Sequence, residues 1–300
     1  MKDSYPSVSL IRLCRLLGVT RQAYYQFYWH IEELQVEEEL VLNEVKELRR
    51  IHPAIGTRKL YCMLQPFLLD HQIKMGRDAL FNLMSVNKLL VRKRKRKVNT
   101  TQSYHWFRRY PSLIKSWYPD APNQLWVADI TYLPVINGFL YISLITDAYS
   151  HKIMGYSIGE SLEAVHTTKA LQMALKNEDH RNVIHHSDRG IQYCSSEYVN
   201  ILQEHGIRIS MTESGDPLEN PIAERINGIL KEEYLKHYHI TNHQEATKLL
   251  TCIVDRYNNK RPHQSINMLT PKTVHEHLLL VNRRWGKSSS LPNIVKQEQD

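Results

Sequence analysis

The sequence predicts an α+β protein, a mixed sheet with helices on its faces, preceded by an all-α basic region. Three observations point there. Strand-like segments appear beyond residue 123, where they alternate with helical ones. The residues before 123 show helical periodicity and cationic runs. Charge divides at the same place: residues 1–122 hold 21 Lys and Arg against 11 Asp and Glu, and residues 123–300 hold 18 against 20. A basic half joined to a near-neutral half suggests a polyanion-binding region attached to a working domain.

Residues 1–30 read as a helix-turn-helix-like segment. SLIRLCRLLGVTRQAYYQFY (9–28) forms two short helices about a Gly-Val-Thr turn, with Thr20 as N-cap of the second; a plain helical hairpin fits the same pattern. A charged helix follows in 31–50, where Leu34, Val41 and Leu48 recur every seven residues as a packing stripe. Residues 51–97 add a second helical pair, TRKLYCMLQPF (57–67) and GRDALFNLMSVNKLL (76–90), and end in six consecutive cations, Arg92, Lys93, Arg94, Lys95, Arg96 and Lys97. Such a run is either a solvated charge cluster or a phosphate-binding one acting through counterion release. Aromatics interleave with further cations, Arg108 and Arg109 among them, in YHWFRRYPSLIKSWYP (104–119), which favours nucleic acid. Pro111, Pro119 and Pro122 mark 98–122 as a linker.

From 123 to 285 the texture is that of the α+β core with C-terminal helices. QLWVADITYLPV (124–135) and GFLYISLITDAYS (138–150), joined at Asn137-Gly138, read as a β-hairpin. HKIMGYSIG (151–159) extends it as a third strand, and LEAVHTTKALQMALKN (162–177) has helical spacing. RNVIHHSD (181–188) is a short strand, SSEYVNILQEHG (195–206) a helix, and IRISMT (207–212) a fifth strand. A further helix begins at Asn220-Pro221, a good N-cap followed by a good first helical residue. This order fits an RNase H-like arrangement. Residues 286–300 are a polar tail without periodicity, expected to be disordered.

Composition excludes several function classes. Hydrophobic content of 42% and charged content of 23% are those of a globular chain. No apolar run reaches membrane-spanning length, since FLYISLITDAY (139–149) is interrupted by Asp147. The start is neither a signal peptide nor a lipidation site, so a cytoplasmic location is expected, with no membrane partner. The cysteines at 14, 62, 194 and 252 form no CxxC pair, arguing against a disulfide framework and a structural zinc site. His237, His239 and His243 have no neighbouring Cys and read as a solvated helix end.

HHSDRGIQY (185–193) contains an aspartate with two readings. Asp188 before Arg-Gly is common turn chemistry; it is also a strand-end carboxylate. Asp129 in the first strand, Asp188 after the fourth and Glu224 in the helix after the fifth make a set, with 35 residues between the last two. The first and fourth strands are neighbours in this arrangement, so Asp129 and Asp188 can meet. Two or three carboxylates, with water and phosphate, suit Mg²⁺, and two such ions can clamp both oxygens of a phosphodiester. Helical spacing sets Glu224 with Asn227, Gly228 and Lys231 on one side, and Ile222, Ile226, Ile229 and Leu230 on the side that packs on the sheet. An ordinary amphipathic helix with a solvated acid has the same pattern.

These residues carry a family resemblance. WVADITY (126–132), HHSDRGIQY (185–193), SMTESGDPLENPIAERINGILKEEY (210–234) and YNNKRPHQSINMLTP (257–271) resemble the second-frame product of the insertion-sequence family three transposases, which have a retroviral-integrase-like core. IHPAIGTRKL (51–60) and the basic stretch after residue 90 are similar to that family's helical DNA-binding region. The resemblance implies that Asp129, Asp188 and Glu224 are the catalytic, metal-holding acids and Lys231 the basic residue after the glutamate. Pro221 replaces the small residue of the family pattern, and Glu219 is an extra acid expected to face away. Asp147 is read as a strand-end acid and Asp216-Pro217 as a turn. His185, His186, Ser187 and Gln192 around Asp188 are candidates for supporting the acids or contacting DNA, with turn hydrogen bonding the alternative, and Asn227 is a further candidate for supporting the acids. Arg189 is open between pairing with a site acid and reaching a phosphate. Arg256, Lys260, Arg261 and His263 either form a basic DNA-facing loop or solvate a helix end.

The implied activity is that of a DNA transposase. Water attacks a phosphodiester at the element's end and releases a 3′-hydroxyl, which the same site uses as nucleophile in strand transfer. No covalent protein–DNA intermediate is implied. The first product joins the two ends through one strand, giving a circular form before insertion. Two Mg²⁺ ions are expected, with Mn²⁺ as a substitute. The expected partners are the element's terminal repeats and target DNA, further copies of the chain, and an upstream-frame partner or fusion. Two rival classes remain: a non-catalytic DNA-binding protein with an integrase-like fold, and an RNase H-like nuclease without strand transfer.

Overall fold

The computed structural model describes residues 7–91, 108–115, 117–136, 138–176, 180, 182–213, 219–277 and 279. The chain divides into one unit of residues 1–51 and 55–92 and another of residues 52–54 and 93–300.

The first unit is helical: α1 (Leu10–Leu16), α2 (Arg21–Ile51), α3 (Thr57–Asp70) and α4 (Arg77–Val86). Gly18, at φ 67°, turns the chain after α1, and Thr20 Oγ1 accepts the Ala23 N–H at 3.0 Å as the expected cap. The helix so started does not stop near residue 28. It continues unbroken for 31 residues, so the expected boundary between a helix-turn-helix and a charged helix falls inside α2. The reason lies in the segment itself, which contains neither Gly nor Pro and is rich in Glu, Leu and Arg. Val41 and Val45 of α2, Leu60, Leu64 and Leu68 of α3, and Leu80, Leu83 and Met84 of α4 form the core. Of the seven-residue stripe, Val41 is buried and Leu48 packs beside it, whereas Leu34 is exposed. The run Arg92–Lys97 lies outside the described residues.

The second unit is built on a five-stranded sheet: β1 (Leu125–Val135), β2 (Gly138–Asp147), β3 (Ile153–Gly159), β4 (Ile184–Ser187) and β5 (Arg208–Met211). The strand order is β3-β2-β1-β4-β5. The first three strands form an antiparallel meander; β4 and β5 add in parallel beside β1. Their crossovers carry α5 (Ala164–Lys176), then α6 (Ile191–Cys194) and α7 (Ser196–Glu204). After β5 come α8 (Pro221–Ile229), a π-helical turn (Leu230–Tyr234), α9 (His243–Lys260) and α10 (Pro271–His277). This is the RNase H-like arrangement that the element order predicted.

Alternation along β1 fixes two layers. Trp126, Ala128 and Ile130 face α5 and α7, together with Ile145, Leu171 and Tyr198. Leu133 faces the other way with Ile142, Leu144, Ile226, Ile229 and Leu250, under α8 and α9; Leu125 and Val127 share that side with Ala223. Contact with α5 is close at Gly155, where a Cβ would fall 2.0 Å from the Ala170 carbonyl oxygen. Gly155→Ala is therefore expected to destabilise the protein by about 1–3 kcal/mol, read as a lower denaturation midpoint. The expected linker does not run free where it is described. Tyr110 packs on the core beneath α5 and α7, Ile114 packs beside Leu125 and Ile184, and the Leu113 N–H donates to Ser210 Oγ at 2.9 Å. Among the described residues, no helix is long and apolar enough to cross a membrane.

Candidate active site

Asp129 follows Leu125 and Val127 at the same parity on β1, so it points to the α8 face. The β1–β4 pairing ends at Val127, which leaves the strand open beside Asp129. Its Oδ1 accepts the Ile130 N–H at 2.9 Å, and its Oδ2 accepts Asn227 Nδ2–H at 2.7 Å. Asp188 follows β4 directly. Its Oδ1 accepts the Gly190 N–H at 2.9 Å, so the turn reading is correct for that oxygen. A Cβ at Gly190 would sit 2.9 Å from the same oxygen. The turn and a functional role are compatible: the turn orients the carboxylate at the strand end.

Helix α8 runs along β1 through a series of side-chain contacts. Asn220 Nδ2 donates to the Ala128 carbonyl at 2.9 Å, Asn227 reaches Asp129, and Lys231 Nζ donates to Thr131 Oγ1 at 3.1 Å. Pro221 is the first helical residue, as expected, but the Asn220 side chain makes no cap. It anchors the helix to β1 instead. Asn227 and Gly228 are buried, not on the solvent side where helical spacing placed them with Glu224. Glu224 itself is exposed, three residues and nearly one turn from Asn227.

The three acids share one electrostatic environment. Burial, then the charge of Asp188, and to a lesser degree that of Glu224, push the Asp129 carboxyl up to about 7, against the pull of its hydrogen bonds to Asn227 and Ile130. A carboxyl crowded by two others suits a divalent cation, which relieves like-charge repulsion and accepts oxygen donors. Among the described residues no three His, Cys, Asp or Glu side chains form a ready-made metal cage. An ion that keeps water and phosphate ligands needs fewer protein oxygens than such a cage supplies. A stability consequence follows with a definite sign. Between pH 4 and about 7 the folded protein holds a proton on Asp129 that the unfolded chain has released, so stability falls as pH rises through that window. In metal-free buffer, Asp129→Asn is expected to flatten this fall; parallel denaturation midpoints for both proteins from pH 4 to 8 would contradict it.

The rival acids have other work. Asp147 is fully buried and binds the Ser150 N–H and O–H through Oδ1, at 2.7 and 2.6 Å, and the Asn123 N–H through Oδ2 at 2.8 Å. It holds the turn between β2 and β3. The Glu219 carboxylate accepts the Glu213 N–H. Asp216 lies outside the described residues.

Of the expected supporting residues, Asn227 touches a site acid directly. His186 is buried, and burial lowers its pKa. Its Nε2–H donates to the Glu219 carbonyl at 3.2 Å, and its Nδ1 accepts from Ser210 Oγ at 2.9 Å, tying β4 and β5 to the approach of α8. Gln192 Nε2 donates to the Leu162 carbonyl at 2.8 Å, bracing the entry to α5. His185 is buried with its Nε2 2.9 Å from the Tyr198 hydroxyl, and burial pushes it down to about 3, neutral at any working pH.

Among the expected DNA contacts, Arg108 and Arg109 are exposed, with the Arg108 guanidinium 5.3 Å from the Tyr110 ring centre. Lys231 is half-buried, between Thr131 and the Tyr132 ring. Arg261 is a correction. It is fully buried, and its Nε and Nη2 donate to the two carboxylate oxygens of Glu233, each at 2.8 Å. Its fork is engaged inside the protein and is not offered to a phosphate. Sequence reasoning missed Asn220 and Thr131 as partners of β1 and α8, although both stand within the matched motifs.

Comparison with known proteins agrees with this architecture. Two models described as Integrase core domain match residues 119–217 and 205–271. The 31 kDa protein of insertion element IS600 from Shigella sonnei is 35% identical over 88% of this chain and 97% of its own length. The transposase for insertion sequence element IS629 from Shigella sonnei is 33% identical over 72% of this chain and 73% of its own. The putative transposase for IS986/IS6110 from Mycobacterium tuberculosis is 32% identical over 82% of this chain and 91% of its own. Among solved structures, the HTLV-2 integrase catalytic core domain is 18% identical, covering 52% of this chain and 97% of that one with a TM-score of 0.42. By these relatives and its integrase core, the chain belongs to the transposases of insertion sequences.

Proposed function

We propose that this transposase cuts DNA at the ends of its insertion sequence and joins the freed 3′-hydroxyl to target DNA at one site, formed by Asp129, Asp188 and Glu224. The observation that carries this is the Asp129 carboxyl, raised by burial and then by the charges of Asp188 and, less, Glu224, and held by a hydrogen bond from Asn227. In this reading the three acids hold divalent ions, two Mg²⁺ with Mn²⁺ as substitute. When bound, such ions supply Lewis-acid charge and lower the pKa of water. Asn227 fixes the orientation of the Asp129 carboxylate, and Asn220 keeps α8 in register with β1. Lys231 offers a cation to a neighbouring phosphate. Exposed Arg108 and Arg109, together with the run Arg92–Lys97, bind the DNA backbone through counterion release. Two ends require at least two copies of the chain, and an upstream-frame product joins or precedes it in the active form.

The test separates a transposase from a nuclease. Labelled element-end DNA is incubated with the full chain, with and without the upstream-frame product, in Mg²⁺ and target DNA. A nicked strand followed by a joined product is expected, both absent in EDTA. Nicking without joining under every condition would leave a nuclease.

A further inference from the structure

Two aromatic rings stand exposed on β1 and β2, on the face of the sheet opposite the buried Leu133 and Leu140. Tyr132 is 47% exposed and Phe139 57%. The register pairs Tyr132 with Tyr141 and Pro134 with Phe139, so the two rings are diagonal neighbours on one face. Their centres are 6.0 Å apart and their planes are at 84°. Neither is part of the core clusters, although Ile130, one strand repeat earlier on the same face, packs into one. Lys231 reaches this place from the α8 side. With β1 unpaired by β4 beyond Val127, its Nζ lies 3.1 Å from Thr131 Oγ1 and 4.4 Å from the Tyr132 ring centre. Three residues along a strand, about 10 Å, separate Tyr132 from Asp129; the two side chains start from opposite faces, and the Tyr132 ring meets Lys231 around the edge of β1 that β4 leaves open.

The two rings together with Lys231 make an aromatic surface with a cation at its edge. A nucleobase has the flat apolar face that such rings stack on, whatever its sequence. Its phosphate has the charge that Lys231 complements. A peptide partner would need an apolar patch wider than two rings.

We propose that Tyr132 and Phe139 form a stacking platform for an unpaired nucleobase at the DNA end, with Lys231 binding the phosphate attached to it. This rests on the reading of Asp129, Asp188 and Glu224 as the holders of the phosphate to be cut. The platform lies one or two nucleotides from that phosphate, at roughly the 10 Å strand spacing. It captures the end base after fraying and so favours ends whose terminal pairs open easily.

The fluorescent base 2-aminopurine, placed at successive positions of element-end DNA, tests this with the full chain in EDTA. Quenching is expected at one or two positions beside the cleavage point. Tyr132→Ala with Phe139→Ala should abolish it and weaken binding of unpaired ends by about tenfold. Tyr132→Phe should preserve both, because the ring remains. Absent quenching in the wild type, or equal quenching in the double alanine variant, would overturn the platform. A parallel cleavage assay in Mg²⁺ keeps the two readings apart. Wild-type quenching without cleavage would remove the catalytic reading and retain the base-binding site. Normal cleavage with unchanged quenching in the variant would do the reverse.

Discussion

Arg261→Leu is expected to destabilise the protein by about 3 kcal/mol, measured by denaturant unfolding of the full chain. The side chain of Arg261 is 1% exposed and that of Glu233 is 17% exposed, so both charges are largely removed from water. Both carboxylate oxygens of Glu233 receive the guanidinium fork, and removing it strands an anion beside the π-helical turn. Glu233 keeps some access to solvent, which sets the loss at the lower end of the range for buried pairs. Arg261→Lys keeps the charge but not the two-pronged geometry, and should recover only part of the loss. A surface phosphate contact behaves differently: Arg261→Leu would then leave unfolding unchanged and weaken DNA binding with a smaller salt dependence.

The second large effect concerns the acids. Asp129→Asn, Asp188→Asn and Glu224→Gln are each expected to slow strand cleavage by ~10³, a loss of about 4 kcal/mol of transition-state stabilisation. If the three act as one unit, any pair of substitutions should cost little more than either alone. DNA affinity should hold or rise, since each change removes a negative charge near the phosphate. Multiplying losses in the double variants, measured under single turnover, would show the acids acting separately.

Much of the core was legible because its signals are local. The texture of QLWVADITYLPV gave the strand that carries Asp129, and Gly206 and the Asn137-Gly138 pair marked ends of elements. Gly138 has φ 135°, as such a turn requires, while Asn137 lies outside the described residues. Three features were not legible for a shared reason: each depends on a partner remote in sequence. Asn220 looks like a cap until β1 offers it the Ala128 carbonyl. Arg261, in a basic Arg-Pro-His context, looks solvent-facing until Glu233, 28 residues earlier, meets it. Asn227 looks solvent-facing on helical spacing alone, yet it is buried and donates to Asp129, 98 residues earlier. The fused helix α2 was misjudged for the opposite reason. The Gly-Val-Thr turn forms as expected, but the boundary set near residue 30 had no breaker to make it, and the helical propensity runs unbroken to Ile51.

The account's central claim is that Glu224, exposed on α8, works with Asp129 of β1 and Asp188 at the end of β4 on a DNA phosphodiester. Single-turnover nicking of labelled element-end DNA, wild type against Glu224→Gln across a Mg²⁺ series, tests it most directly. The account predicts a 3′-hydroxyl nick that rises with Mg²⁺ in the wild type and stays near background in the variant, with DNA binding intact. Equal nicking by both proteins, or binding without any nick by the wild type when the upstream-frame product is supplied, would contradict it.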